Sequence, residues 1–191
     1  MNMVIHLIGV HHSIQHNGGN FRAIPGLSAL REQFQYYLVR TIREFGISVL
    51  AEELNEDVLA IFNASESMAA SSARKAGISH VFCEPGLRLR SSLGFTKQLQ
   101  GKHHVVRERL WYEKIMVHRS ERVLFICGAN HVSTFSRLVR EKGHAVVILT
   151  TYYGRNFFQA FTSRQFCQSL CPHAGLSHEP QNLSNLLIIP H

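Results

Sequence analysis

Short apolar runs alternate along this chain with longer stretches in which apolar residues return every three or four positions. Val4 to Val10, Ile47 to Leu54, Ser79 to Cys83, Arg122 to Cys127 and Ala145 to Thr150 are the short runs, of a length suited to strands rather than helices. After the first of them, Leu30, Phe34, Leu38, Ile42 and Phe45 recur at helical steps as far as Gly46, which predicts an amphipathic helix with a glycine stop. The Ala/Ser-rich segment Ser65 to Lys75, closed by Gly77, predicts a short helix packed closely on a sheet. Val105 to His118 predicts another, with Val106, Leu110, Glu113 and Val117 on one side, and Val132 to Lys142 a third, ending at Gly143. Gly86 to Gly101 is less regular and basic, and reads as a lid or substrate-facing loop.

Strand, helix, strand over Arg122 to Thr150 is a βαβ crossover, which implies parallel pairing. The expectation is one α/β domain over 1–191: a mainly parallel central sheet flanked by helices in three layers, with a cleft at the carboxyl ends of the strands. The rhythm is lost over 155–191. There Phe157 to Cys171 has helical character, Pro172 to Asn185 reads as loop, and Leu186 to Ile189 is an apolar tail suited to an edge strand or a partner.

A hydrophobic fraction of 45% with 17% charged residues belongs to a globular chain, not a disordered one. Twenty Lys and Arg against 13 Asp and Glu give a net charge of +7, which favours acidic partners. The basic residues are dispersed, however, with no arginine-rich arm, zinc-finger spacing or RRM-like aromatic motif, so nucleic acid is disfavoured as a partner. Cys83 and Cys127 fall in buried strands as small hydrophobes. Cys167 and Cys171, four apart, would share a helix face and read as ordinary helix residues, with a metal or a disulfide as the sharper alternative. No secretory leader and no stretch of membrane-spanning length is seen, so a reducing cytoplasm is the expected setting.

The candidate chemistry lies in a doubled pattern. Gly9-Val10-His11-His12 follows the first strand, and Gly128-Ala129-Asn130-His131 follows the fourth. Each delivers a histidine just past a strand end, where parallel α/β sheets hold ligands. Glu52 or Glu53 and Glu84 lie at strand ends too. Two histidines and a carboxylate form an open metal set, or a general base with its orienting partner. Arg107 and Arg109 are placed to bind a carboxylate or neutralise an oxyanion. The full Gly-x-Gly-x-x-Gly of a dinucleotide site, the Gly-Lys-Ser/Thr phosphate loop, His-Glu-x-x-His and Gly-x-Ser-x-Gly are all missing from the sequence.

The doubled Gly-x-x-His, the intervening glutamate and the later arginine resemble the TraB/Tiki superfamily, with its erythromycin-esterase and ChaN haem-uptake branches. The stretch Arg107-Glu108-Arg109-Leu110-Trp111-Tyr112-Glu113-Lys114-Ile115 followed by Val123 to His131 is similar to that family's arginine-headed helix leading into a strand. Phe135, Leu138, Gly143 and Val146 continue the pattern. The resemblance implies His12 and His131 as paired site histidines, Glu53 (or Glu52) as the carboxylate, and Arg107 rather than Arg109 as the arginine. It implies either a divalent-metal centre on His12, Glu53 and His131, holding Mn, Co or Zn, or a histidine that activates water directly.

The leading expectation is a hydrolase of an ester or amide bond in a small-molecule or peptide substrate, anionic in character. His12, Glu53 and His131 carry the site, Arg107 faces the attacked carbonyl, and Glu84 is an extra ligand or base. The alternative is a non-catalytic binding protein for an anionic small molecule or haem. A basic module for nucleic acid or a protein partner ranks third.

Overall fold

A computed structural model describes residues 3–19, 24–95 and 100–159. Among these, β1 (Val4–Val10), β2 (Val49–Glu52), β3 (Ser79–Phe82), β4 (Arg122–Gly128) and β5 (Ala145–Tyr153) form one sheet in the order β3-β2-β4-β1-β5. Every neighbouring pair is parallel. The helices are α1 (Leu27–Phe45), α2 (Glu56–Ile61), α3 (Met68–Ala76), α4 (Leu87–Ser92), α5 (Gln100–Val117) and α6 (Val132–Glu141). The result is the expected three-layer α/β architecture. No described helix is long and apolar enough to cross a membrane.

Strand side chains alternate between the two faces, and the three central strands β1, β2 and β4 are buried on both. On one, Ile5, Leu7, Val49, Ala51, Val123, Phe125 and Cys127 pack with Trp111 and Ile115 of α5 and Phe135 and Val139 of α6. Phe125 and Phe135 meet at 4.6 Å between ring centroids, and Trp111 lies 5.7 Å from Phe125. Aromatic side chains of this size contribute most of the apolar burial a core gains. On the other face His6 tilts against Phe45 of α1, α1 packs on α3, and α3 on β2 and β3.

Strand order decides what meets at the rim. β4 is inserted between β2 and β1, and neighbouring strands lie about 4.8 Å apart. Residues that follow β1, β2 and β4 therefore emerge within roughly 10 Å of one another, although up to 119 positions separate His12 from His131 in the chain.

The two Gly-x-x-His copies are out of register. Gly9 pairs with Cys127, and Gly128 pairs with Val10, so the glycines face opposite sides of the sheet and do different things. The β1–β5 register shifts on either side of Ile8, which presses the β5 backbone onto Gly9. A Cβ there would stand 2.2 Å from the Thr151 carbonyl oxygen and 2.6 Å from Val132. Gly9→Ala is expected to cost about 1–3 kcal/mol of stability through overpacking, seen as a lower urea midpoint at unchanged m-value. An unchanged midpoint would show that the strands part without strain.

Three local expectations are revised. Helix α4 lies within the segment read as a loop from Gly86 to Gly101, and α5 begins at Gln100 rather than Val105. The side of α5 chosen from its apolar residues is wrong: Val105, Val106 and Val117 are exposed, while Arg107, Glu108, Trp111 and Ile115 are buried. That buried face is charged because it lies over the strand ends, where carboxylates and histidines await it.

Residues 1–153 form one compact unit and 154–191 a second. The described part of the second is a helical turn over 155–159, with Phe158 N–H bonded to the Gly154 carbonyl at 3.2 Å. The remainder of the expected helix Phe157 to Cys171, the loop to Asn185, the tail Leu186 to Ile189 and the pair Cys167 and Cys171 lie outside the described residues.

Candidate functional site

Beyond β1 the chain turns at once into a 3₁₀ turn, His12–Ile14. Arg31 of α1 pins it, donating from Nε and Nη2 to the Ser13 carbonyl at 3.0 and 2.7 Å. The His12 Nδ1 meets Gln15 Oε1 at 2.7 Å, and Gln15 Nε2 donates to the Glu53 carbonyl at 3.5 Å. An amide oxygen only accepts, so His12 Nδ1 carries the hydrogen of that contact. A methyl group on Gly128 would lie 2.9 Å from His12 Nε2 and 3.4 Å from Glu53 Oε2. Both atoms thus border the space that the missing side chain leaves.

Beyond β2 the ladder continues through Glu53 N–H to the Ile126 carbonyl at 2.7 Å, and the alternation sends Glu53 and Glu52 to opposite faces. Glu53 belongs to the site. Its Oε2 accepts from Gly128 N–H at 2.7 Å and its Oε1 from Arg107 Nη2 at 2.5 Å. Burial would raise the Glu53 carboxyl, but the charges of Arg107, His12 and His131 with the Gly128 N–H outweigh it and hold the group at about 2. Glu52 instead accepts from Ser67, the N-cap of α3, and from His80 at 2.8 Å.

Beyond β3, the turn Glu84-Pro85-Gly86 is fixed by Asn55 Nδ2 donating to the Pro85 carbonyl at 2.9 Å. Glu84 then collects four donor groups. Arg107 grips it with Nε at 3.0 Å to Oε1 and Nη2 at 2.9 Å to Oε2, Arg90 Nη1 reaches Oε1 at 2.9 Å, and Trp111 Nε1 reaches Oε2 at 2.9 Å. Arg107 is also 5.0 Å from the Trp111 ring centroid. Glu53, Arg107, Glu84 and Arg90 form a continuous ion chain in which each residue is at most 7% exposed. Burial lowers the Arg107 guanidinium, yet Glu53 and Glu84 more than restore it and its pKa is raised.

His131 closes the 3₁₀ turn after β4. Its Nδ1 bonds Glu108 Oε1 at 2.8 Å, and Thr134 Oγ1 donates to the same oxygen at 2.5 Å. The carboxylate fixes the tautomer with hydrogen on Nδ1, which turns Nε2 toward Glu53 Oε1 at 3.6 Å. The ring stands edge-on to Trp111 at 4.9 Å and tilts against His104 at 4.4 Å. Burial lowers the His104 pKa, the nearby His131 and Arg107 charges adding to it.

No protein-family model, curated protein or solved structure matches this chain. The site therefore rests on its own geometry. His12, Glu53, Glu84, Arg107 and His131 all converge, and of the paired alternatives Glu53 and Arg107 belong to the cluster while Glu52 faces away and Arg109 is exposed. Sequence reasoning missed Glu108, Arg90, Trp111, His104, Gln15 and Thr134. The signal for Glu108 was its three-residue spacing from Trp111, which is itself four residues from Arg107, so that all three lie on one helical face.

A divalent cation fits this donor set poorly. Both Glu53 oxygens already accept from Arg107 and Gly128, and a cation on Glu53 would sit against a guanidinium. Among the described residues no group of three or more His, Cys, Asp and Glu side chains is arranged to hold a metal.

The loop beneath the site carries a pH response. His16 stacks on Phe62 at 4.9 Å, and burial, followed by the charges of Arg31 and His12, pushes its pKa down to about 4. His11 is lowered to about 4 by burial and by His12. The unfolded chain protonates these groups first, so the stability they confer is complete above pH 6.5 and is lost as pH falls from 6.5 toward 4. Melting temperature measured across that window is expected to fall, and His16→Gln to flatten the slope. A slope indifferent to His16→Gln would refute the assignment.

Proposed function

We propose that this chain hydrolyses an ester or amide bond in an acidic small molecule or peptide, with His131 as general base and no metal in the step. The observation that carries the reading is the Glu108–His131 pair, a buried imidazole held by a carboxylate at 2.8 Å with its other nitrogen turned into the site. This is the arrangement a base needs to keep one tautomer and to stabilise the imidazolium it becomes. The resemblance to the TraB/Tiki superfamily, in its branch where histidine activates water, supports the same chemistry.

His131 Nε2 takes a proton from water as the water oxygen attacks the carbonyl carbon. The bond to the leaving oxygen or nitrogen then breaks, and the imidazolium returns the proton to that atom. One water is consumed, and an acid with an alcohol or amine is released. The cluster of Glu53, Glu84 and Glu108 against Arg90 and Arg107 carries one net negative charge, so the imidazolium formed in the step neutralises it. Glu53, ionised well below neutral pH, anchors the Gly128 backbone and flanks both imidazoles. Arg107 is a positioning residue: its Nε and Nη2 are committed to Glu84 and Glu53, which sets the carboxylate that the imidazoles face.

The test is a panel of carboxylic esters and amides assayed with wild type and Glu108→Gln. Wild type is expected to turn over a member of the panel. Glu108→Gln keeps a hydrogen-bonding partner for the imidazole but removes the charge, and is expected to lower kcat about 10- to 100-fold with KM little changed. Turnover insensitive to Glu108→Gln, or none across the panel with a folded protein, would reject the reading in favour of the binding protein.

A further inference from the structure

Arg90 is the cation of the ion chain with the least protein to hold it. Its side chain is 9% exposed, so it has lost nearly all of its water, yet among the described residues its acceptor is one oxygen, Glu84 Oε1 at 2.9 Å from Nη1. That oxygen is shared with Arg107 Nε at 3.0 Å, and the other Glu84 oxygen is taken by Arg107 and Trp111. A guanidinium carries five donors in a rigid fork. The edge formed by Nε and Nη2, which matches a carboxylate or phosphoryl group with two parallel hydrogen bonds, has no acceptor among the described residues. The neighbouring arginine shows what that edge does when filled, since Arg107 grips Glu84 through its own Nε and Nη2.

We propose that the Nε–Nη2 edge of Arg90 receives an oxyanion on the substrate, so that the molecules this site acts on carry a carboxylate or phosphoryl group. The proposal rests on the hydrolase reading for the word substrate, but the binding it describes does not need turnover. Three features support it. The acceptor is fixed in place, because Glu84 is held by Arg107 and Trp111 and in turn orients Arg90. The site is contiguous with the chemistry, since Arg90, Glu84, Arg107 and Glu53 are linked hydrogen bond by hydrogen bond to the carboxylate that faces His131. Finally, a chain of net charge +7 draws anions toward it over distance. Arg107 cannot substitute for Arg90 in this role, because the corresponding edge of its guanidinium is already closed on Glu84.

The sole tryptophan of the chain, Trp111, gives a direct readout, because its indole N–H shares Glu84 with Arg90. Fluorescence titrations of the full chain with acetate and with inorganic phosphate, in wild type, Arg90→Gln and Arg90→Lys, test the proposal. Wild type is expected to show a saturable change with at least one of the two anions, and the stronger of them names the group. Arg90→Gln is expected to weaken that binding about 10- to 100-fold, the loss of charge-assisted hydrogen bonds. Arg90→Lys, which keeps the charge but not the fork, is expected to bind acetate nearly as poorly as Arg90→Gln. Equal affinity in wild type and Arg90→Gln, or no saturable response in wild type to either anion, would overturn the proposal. A melting curve establishes that each variant is folded, and Arg109→Gln, altered at an exposed arginine, supplies a second folded reference that should bind as wild type. Anion binding lost in Arg90→Gln without hydrolysis of any ester or amide leaves this inference standing while the hydrolase falls. Hydrolysis that ignores Arg90→Gln does the reverse.

Discussion

Arg107→Met is expected to lower the melting temperature by about 6–20 °C. The cause is local and electrostatic. Arg107 lies between Glu53 and Glu84, at 2.5 and 2.9 Å, and all three side chains are at most 4% exposed. Removing the cation leaves two carboxylates facing each other out of water, with Gly128 N–H, Trp111 Nε1 and Arg90 as the remaining donors. Breaking a buried pair by deleting one partner costs about 3–5 kcal/mol, and a domain of this size loses about 2–4 °C for each kcal/mol. Arg107→Lys restores the charge but cannot span both carboxylates with a fork, so it should fall between wild type and Arg107→Met. A melt of Arg107→Met within 2–3 °C of wild type, which is roughly 1 kcal/mol, would show that the two glutamates do not depend on it.

The same ion chain fixes an acid response. Glu53 titrates at about 2 in the folded chain against 4.5 ordinarily. Because its folded pKa is depressed, the stability it confers is present above pH 4.5 and disappears as pH falls from 4.5 to about 2. This window lies below the one set by His11 and His16, so acid unfolding of wild type should steepen in two stages. In Arg107→Met the lower stage should shrink, since the largest charge opposing burial of the Glu53 carboxylate is gone.

Much of the fold was legible because strand and helix periods differ so plainly. Phe34, Leu38 and Ile42 at helical steps, and the apolar runs at Val4 and Val123, left little choice of element, and the βαβ unit around Gly128 gave the parallel sheet. The strand order was not legible. Nothing local in β4 says that it inserts between β2 and β1, yet that insertion brings Glu53 beside Gly128 and leaves both His12 and His131 near Glu53. The doubled Gly-x-x-His pointed to the two histidines that lie near Glu53, for an incomplete reason. Its glycines are offset by one residue in the sheet, Gly9 yielding to the β5 backbone and Gly128 to the site itself. The face of α5 was misread because apolar periodicity assumes that buried means apolar. Here the buried stripe is Arg107, Glu108, Trp111 and Ile115, and a charge can be buried only against partners that the primary structure does not display. For the same reason the alternating Leu87-Arg88-Leu89-Arg90 looked like a loop, whereas α4 buries Arg90 on Glu84 and turns Leu87 and Leu89 outward.

His131→Gln is expected to reduce kcat by about 10²–10⁴, the range supplied by a positioned general base. Glutamine can keep a hydrogen bond to Glu108 from its amide, so the buried carboxylate is not stranded and the melting temperature should stay near that of wild type. It cannot accept a proton at neutral pH, and this is the property the step requires. Trp111 separates loss of the base from a disturbed site. Its ring stands 4.9 Å from the His131 imidazole, so its emission reports whether the packing around residue 131 survives the substitution. His131→Gln should keep the wild-type emission maximum at a fixed pH. Loss of turnover with an unchanged emission maximum identifies His131 as the group that takes the proton. Should turnover survive within about threefold in His131→Gln, a shift of well under 1.4 kcal/mol in the barrier, the base must be sought at His12, the other imidazole bordering Glu53. The carboxylate of Glu108 would then serve the fold of α5 alone.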